Sequence, residues 1–338
     1  MNHRVHGGDL QQVQKHYPDA PQPWIDLSTG INPHSWPWRE KISSAELEQA
    51  VRRLPGQADM VFCRDACADY LGVGAEKIIL TPGSQAAIEL LPRCFETNRK
   101  VIVPGPTYSE HLRSWSAAGF QVETKPYDWD GLTGLPGGSI LVLTHPNNPD
   151  GQTFDTEKLY QLSMRHIERG GMVIVDEAFA DIDPALSLLT FPLSDGLVVL
   201  RSAGKFSGLA GLRLGTVVTS GTVSQRLNNL CQLWEISTLT LRVFGHFYRD
   251  LSWISAMREQ LAGEMRRLQE LLEKYGYSIT GSTSLYCLTE AEDAAGKAGK
   301  LAQAGIYVRT FPDHPSWLRF GVPGSEEAWN RLAQQLRG

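Results

Sequence analysis

The chain has 338 residues, 42% of them hydrophobic, and a formal net charge of −5. That length and apolar content suffice for one large domain or two, each with a real core. The negative balance excludes an overall field for nucleic acid and no apolar run approaches membrane-spanning length, so neither partner is expected, and any anionic ligand must be held by locally placed arginines.

The start, Met1 to Asp9, is polar and reads as no signal peptide. Cys63, Cys67, Cys94, Cys231 and Cys287 form an odd, scattered set, expected to be reduced thiols in a cytoplasmic protein. Cys63 and Cys67 can share a helix face, but no second ligand pair stands near. They read as small core residues, and no metal site is expected.

Residues 1–42 are rich in Pro, Gly, Trp and His and form an arm. Trp24 to Ser28 reads as a short strand leading into the loop Thr29-Gly30-Ile31-Asn32-Pro33. Two readings of the arm stand at this point: it covers surface, or it lines a site. From residue 43 the pattern changes. Helices are expected from Ser44 to before Pro55 and from Met60 to Leu71, closed by Gly72. Then strands and helices alternate. Strands at Ile78–Thr81, Val101–Val103, Ile140–Leu143, Met172–Val175, Leu197–Leu200 and Gly215–Val218 are short, continuous and apolar. Amphipathic helices near 84–91, 107–118 and 155–169 separate them. This is the pattern of a mostly parallel sheet covered on both faces, an α/β large domain over 43–221. After Thr222 the rhythm stops. A helix from about Ser255 to Tyr275, strand-like pieces at 277–289, 306–311 and 317–322, and a terminal helix predict a smaller α+β domain over 222–338.

The polar motifs fall at corresponding places. Gly83-Ser84-Gln85, Tyr108, Asn148, Asp176 and Ser202 to Lys205 each follow the C-terminal end of a strand, where open α/β sheets bind ligands. Ser202-Ala203-Gly204-Lys205 through Gly211-Leu212-Arg213-Leu214-Gly215 is crowded with small residues. It carries one amine able to condense with an aldehyde, one hydroxyl and one guanidinium suited to phosphate. Pyridoxal phosphate is a cofactor with both groups. Asp176 reads either as a helix cap or as the carboxylate facing a pyridine nitrogen. Ser84 and Gln85 read as a helix start or a phosphate cradle. Tyr108 reads as core or as a ring-stacking residue, and Asn148 as a turn residue or a donor to a ring hydroxylate. Arg309 and Arg319, on or beside apolar strands, read as a structural ion-pair set or as two clamps for a doubly anionic substrate.

In order and spacing these residues resemble the fold-type-I pyridoxal-phosphate enzymes of the class I/II aminotransferase superfamily over nearly the whole chain. The motifs are Pro82-Gly83-Ser84-Gln85, Pro104-Gly105-Pro106-Thr107-Tyr108, His145 to Gly151, Asp176-Glu177-Ala178-Phe179, Ser202 to Lys205 and Gly211 to Gly215. The resemblance implies that Lys205 binds the cofactor aldehyde and is the catalytic residue. It places Asp176 on the ring nitrogen, Asn148 on the ring oxygen and Tyr108 on the ring face. Gly83, Ser84, Gln85, Ser202 and Arg213 hold the phosphate. Two branches are similar, the threonine-phosphate decarboxylases of cobalamin synthesis and the histidinol-phosphate aminotransferases. His6-Gly7-Gly8-Asp9, the loop through Gly30, and Phe179 in place of a tyrosine favour the decarboxylase branch. That branch implies a phosphorylated amino-acid substrate met by His6, Gly7, Gly30, Asn32, Asn148, Arg309 and Arg319, in a homodimer. Leu54 stands where relatives carry a tyrosine that reaches the partner subunit's cofactor phosphate, so that bond is expected to be absent. Asp150 replaces the commoner threonine of the Asn-Pro-Thr-Gly motif. A non-catalytic regulator is the remote alternative; it lacks a basic patch and room for a DNA-binding domain before residue 43.

Overall fold

A computed structural model describes residues 7–337. The described chain falls into two compact units, one of residues 7–35, 149–151 and 255–337, the other of 36–148 and 152–254.

The first unit opens with a helix, Leu10–His16, followed by strand β1 (Ile25–Asp26). The larger unit contains β2 (Ile78–Thr81), β3 (Val101–Gly105), β4 (Val122–Pro126), β5 (Ile140–Thr144), β6 (Met172–Asp176), β7 (Leu197–Ser202) and β8 (Gly215–Val218). These form one sheet in the order β2-β8-β7-β6-β5-β3-β4. Six strands run in one direction, while β8 is antiparallel to both its neighbours, β2 and β7. The central strands are buried along almost their whole length, which is why they read as unbroken Val, Ile and Leu runs. Strand β4 escaped the sequence reading. It is a half-exposed, polar edge strand ending in Pro126, the place where a sheet tolerates such a sequence. The core below the sheet gathers Ile88, Leu91, Val103, Trp115, Val142, Ile174, Val198 and Val217.

Contact between side chains sets the unit boundary elsewhere than expected. Residues 222–254, expected in the small domain, belong to the larger unit. The reason is the apolar helix Thr238–Phe247, which buries Leu241, Val243, Phe244 and Phe247 and packs on the Gln57–Leu71 helix around Phe62. Residues 36–42 also join this unit, so the arm ends earlier than residue 42; the Trp36 amide donates to the Ser207 carbonyl at 2.8 Å. Cys63 and Cys67 are fully buried on that helix.

In the smaller unit, β9 (Ser278–Ser282), β10 (Tyr286–Glu290), β12 (Arg309–Thr310) and β13 (Trp317–Gly321) form an antiparallel sheet in the order β12-β13-β10-β9. β11 (Ile306–Tyr307) pairs with β1. Leu268, Leu272, Leu301, Leu318, Phe320, Trp329 and Leu332 make its core. The long helix starts at Leu251, four residues before the expected Ser255, and ends at Lys274. Among the described residues no helix is long and apolar enough to cross a membrane.

Candidate active site

In the larger unit the expected cofactor residues collect at one edge of the sheet. Ser84 follows β2, Tyr108 follows β3, Asn148 follows β5, Asp176 ends β6, and Ser202 ends β7 with Lys205 in the next helical turn. Arg213 reaches the same edge because β8 runs the other way, so its start lies beside the ends of its neighbours. Gly215 pairs with Thr81 on one side and with Ser202 on the other.

This turn leaves no room for side chains on two glycines. Gly83 has φ +82, and a β-carbon there would lie 2.5 Å from Arg213 Nη2. A β-carbon on Gly215 would lie 2.3 Å from the Ser84 backbone nitrogen. Backbone and guanidinium therefore close on one small space, as a bound phosphate requires. Arg213 itself takes a left-handed conformation, φ 55, and its Nη1 donates to the Ala210 carbonyl at 3.2 Å.

Asp176 is buried, 3% exposed. Its Oδ2 lies 2.9 Å from His111 Nε2 and its Oδ1 accepts from the Ala178 amide at 3.1 Å. The carboxylate is thus a held group rather than a simple helix cap. His111 was missed in the sequence. The available signal was its place three residues after Tyr108, on the same helix face; its partner on β6 becomes visible only with the sheet order. The Tyr108 and His111 rings stand nearly perpendicular, at 85°, with centroids 5.9 Å apart. Burial, then Glu110 and Asp176, pushes the Tyr108 phenol up to about 12, so it remains a donor. Behind the site, Glu177 and Asp181 share the buried Arg201, with Glu177 Oε2 at 2.8 Å from Arg201 Nη1 and Tyr70 donating to Asp181. This network ties the end of β6 to β7. The loop before Asn148 is held by Thr107 donating to Asn147 Oδ1 at 2.7 Å and by Asn147 Nδ2 donating to the Pro106 carbonyl at 3.0 Å. Lys205 Nζ sits 5.6 Å from the centre of the Phe179 ring.

Amine, buried carboxylate, aromatic face and a hydroxyl-plus-guanidinium cradle on one sheet edge fit the aldehyde, ring nitrogen, ring face and phosphate of pyridoxal phosphate.

Of the expected substrate residues, Asn148 lies in the larger unit, His6 lies outside the described residues, and the smaller unit holds Gly7, Gly30, Asn32, Arg309 and Arg319. A β-carbon on Gly7 would lie 2.4 Å from the Ser28 carbonyl oxygen, and the Gly8 amide donates to Ser28 Oγ at 2.8 Å. Arg319 Nη2 donates to the same Ser28 carbonyl at 2.9 Å. Gly7, the strand leading to Gly30, and Arg319 are therefore brought together. Gly30 lies in the loop after β1, and Asn32 is buried there, its Oδ1 accepting from the His34 amide at 2.9 Å. Arg309 and Arg319 are direct cross-strand partners of β12 and β13. Burial, Arg309 acting in the same direction, brings the Arg319 guanidinium down to about 10; its Cζ lies over the Tyr286 ring, 4.7 Å from the ring centre. This register was not legible in the sequence, because it depends on a non-local strand pairing.

Known proteins agree with this architecture. The aminotransferase class I and II family matches residues 22–336, and the chain belongs to that family. Within it, threonine-phosphate decarboxylases of a Sinorhizobium species and of Pseudomonas aeruginosa are each 37% identical to it, over 98% of this chain and 97% of theirs. A histidinol-phosphate aminotransferase of Geotalea uraniireducens is 29% identical over 96% of this chain and 95% of its own. The fold is that of the Sinorhizobium meliloti histidinol-phosphate aminotransferase solved with pyridoxal 5'-phosphate, with a TM-score of 0.85 at 16% identity over 98% of this chain and 95% of that one.

Proposed function

We propose that the chain is a pyridoxal-phosphate-dependent carboxy-lyase acting on O-phospho-L-threonine. The Cα–carboxylate bond breaks, CO2 leaves, a proton replaces it on Cα, and the product is (R)-1-amino-2-propanol O-phosphate. The observation that carries this reading is the full-length likeness to threonine-phosphate decarboxylases, which exceeds that to the aminotransferase. Phe179 supports it: the residue beside Lys205 Nζ is a hydrocarbon ring, where the aminotransferase branch resembled in sequence has a phenol.

When bound, the cofactor takes up the electron pair freed at Cα. The residues of the chain do the rest. Lys205 Nζ is the point of attachment for the cofactor aldehyde. Asp176, held by His111 and the Ala178 amide, keeps a negative charge in a place shut off from water, which favours a proton on the pyridine nitrogen. Tyr108 offers its ring face and Asn148 its amide to the ring oxygen. Ser84, Gln85, Ser202 and Arg213 surround the phosphate. Arg309 and Arg319 occupy directly opposed positions on neighbouring strands, which sets two guanidinium groups side by side. They suit a substrate with two anionic groups, with Arg319 on the carboxylate. His6, Gly7, Gly30 and Asn32 complete the substrate contacts, and the working form is a homodimer. The test against the aminotransferase alternative offers histidinol phosphate with 2-oxoglutarate. The proposal expects no glutamate, and glutamate formed at a catalytic rate overturns it.

A further inference from the structure

The side chain of Gln85 has a task other than the phosphate. Tyr108 donates its phenol to Gln85 Oε1 at 3.1 Å. The Gln85 amide nitrogen donates in turn to Glu110 Oε2 and to Glu89 Oε1, each at 3.1 Å. Glu110 is buried, and Arg113 binds both carboxylates, with its Nε 2.7 Å from Glu110 Oε2 and its Nη2 3.0 Å from Glu89 Oε1. Gln85, Glu110, Arg113 and Glu89 form a closed ring of hydrogen bonds between the helix that opens at Ser84 and the helix that opens at Ser109, and Tyr108 joins it through Gln85. Two acceptor carboxylates fix which end of the Gln85 amide is nitrogen, so its oxygen must face Tyr108. The phenol, held protonated, joins the ring by donating to that oxygen.

We infer that Gln85 is a positioning residue which, braced by Glu110 and Arg113, holds the Tyr108 ring in its stacking orientation and locks that ring in register with the phosphate-binding turn. A tyrosine hinged only at Cα and Cβ keeps freedom about two side-chain torsions. A hydrogen bond at its far end removes that freedom before the cofactor arrives. Because Ser84 and Gln85 are neighbours, the cofactor's phosphate and ring are then gripped by parts that move together. Glutamate at 85 would not substitute, because it would set a third carboxylate against Glu89 and Glu110.

This inference rests on the reading of the edge as a pyridoxal-phosphate site. Its test is a double-mutant cycle of Gln85→Leu, Tyr108→Phe and both together. The readouts are the dissociation constant for pyridoxal phosphate and the visible circular dichroism of the bound cofactor, with the melting temperature of each apoprotein as the folding control. Loss of one hydrogen bond of this kind weakens cofactor binding by roughly fivefold in each single variant. The double variant is expected to be no weaker than the worse single, with the same diminished dichroism, because both changes break one link. Losses that multiply in the double variant would mean that Gln85 and Tyr108 act separately, and would overturn the brace. A wild-type chain that fails to bind pyridoxal phosphate would overturn the cofactor reading instead, a result distinct from multiplied losses.

Discussion

On the proposed function Lys205 and Asp176 carry the chemistry, and each is held differently. Lys205 lies in a tight helical turn with its amine near the Phe179 ring. Lys205→Ala is expected to leave the fold intact and abolish turnover. Borohydride, which fixes the cofactor onto the wild-type chain, should fix none onto the variant; covalent labelling of Lys205→Ala would contradict the assignment. Asp176→Asn removes the charge but keeps the shape. A neighbouring charge of this kind is worth about one to three pKa units, so the rate is expected to fall by roughly ten- to a thousandfold. An undiminished rate would reduce Asp176 to a cap. Both positions stood out in the sequence, because Asp176 ends an apolar strand and Lys205 closely follows one, each in a recognisable motif. His111 and Gln85's true partner did not. Their bonds join elements distant in the chain, and only the assembled sheet edge brings those side chains within 3 Å or so of their partners.

Strands β5 and β6 deliver Asn148 and Asp176, and the loop after β5 has its own buried, hydrogen-bonded anchor. His145 is fully buried, and its Nε2 accepts the Phe154 amide at 3.0 Å, so it is neutral. Burial pushes it from the ordinary 6.5 down to about 4. The unfolded chain therefore takes up this proton at a higher pH than the folded one. The contribution to stability is complete above about pH 6.5 and is lost as pH falls toward 4, a loss of roughly 2 kcal/mol between pH 7 and pH 5. Urea midpoints at the two pH values are expected to differ more for the wild type than for His145→Gln; equal differences would remove His145 as the cause. At this scale most strands and helices were legible from apolar runs and helix stops. The exceptions have physical causes. β4 is a polar edge strand without a buried run, and the Thr238–Phe247 helix is bound to the larger unit by packing that no local pattern encodes. The pairing of Arg309 with Arg319 depends on register between strands β12 and β13.

For the molecule as a whole, the family follows from the long match and the sheet order, and the choice of bond to be broken is the remaining step. An aminotransferase holds the Cα–H bond perpendicular to the cofactor ring, whereas a decarboxylase holds the Cα–carboxylate bond there. Anchoring both ends of the substrate decides which, and fixed orientation can supply roughly 7–11 kcal/mol of a barrier. Two opposed arginines suit a substrate that is anionic at both ends. The direct measurement is CO2 release from carboxyl-labelled O-phospho-L-threonine by the cofactor-loaded protein, with no 2-oxoacid present. The account predicts steady multiple turnover, with an amine phosphate formed in equal amount. No CO2, or CO2 that appears only when a 2-oxoacid is added, would contradict it.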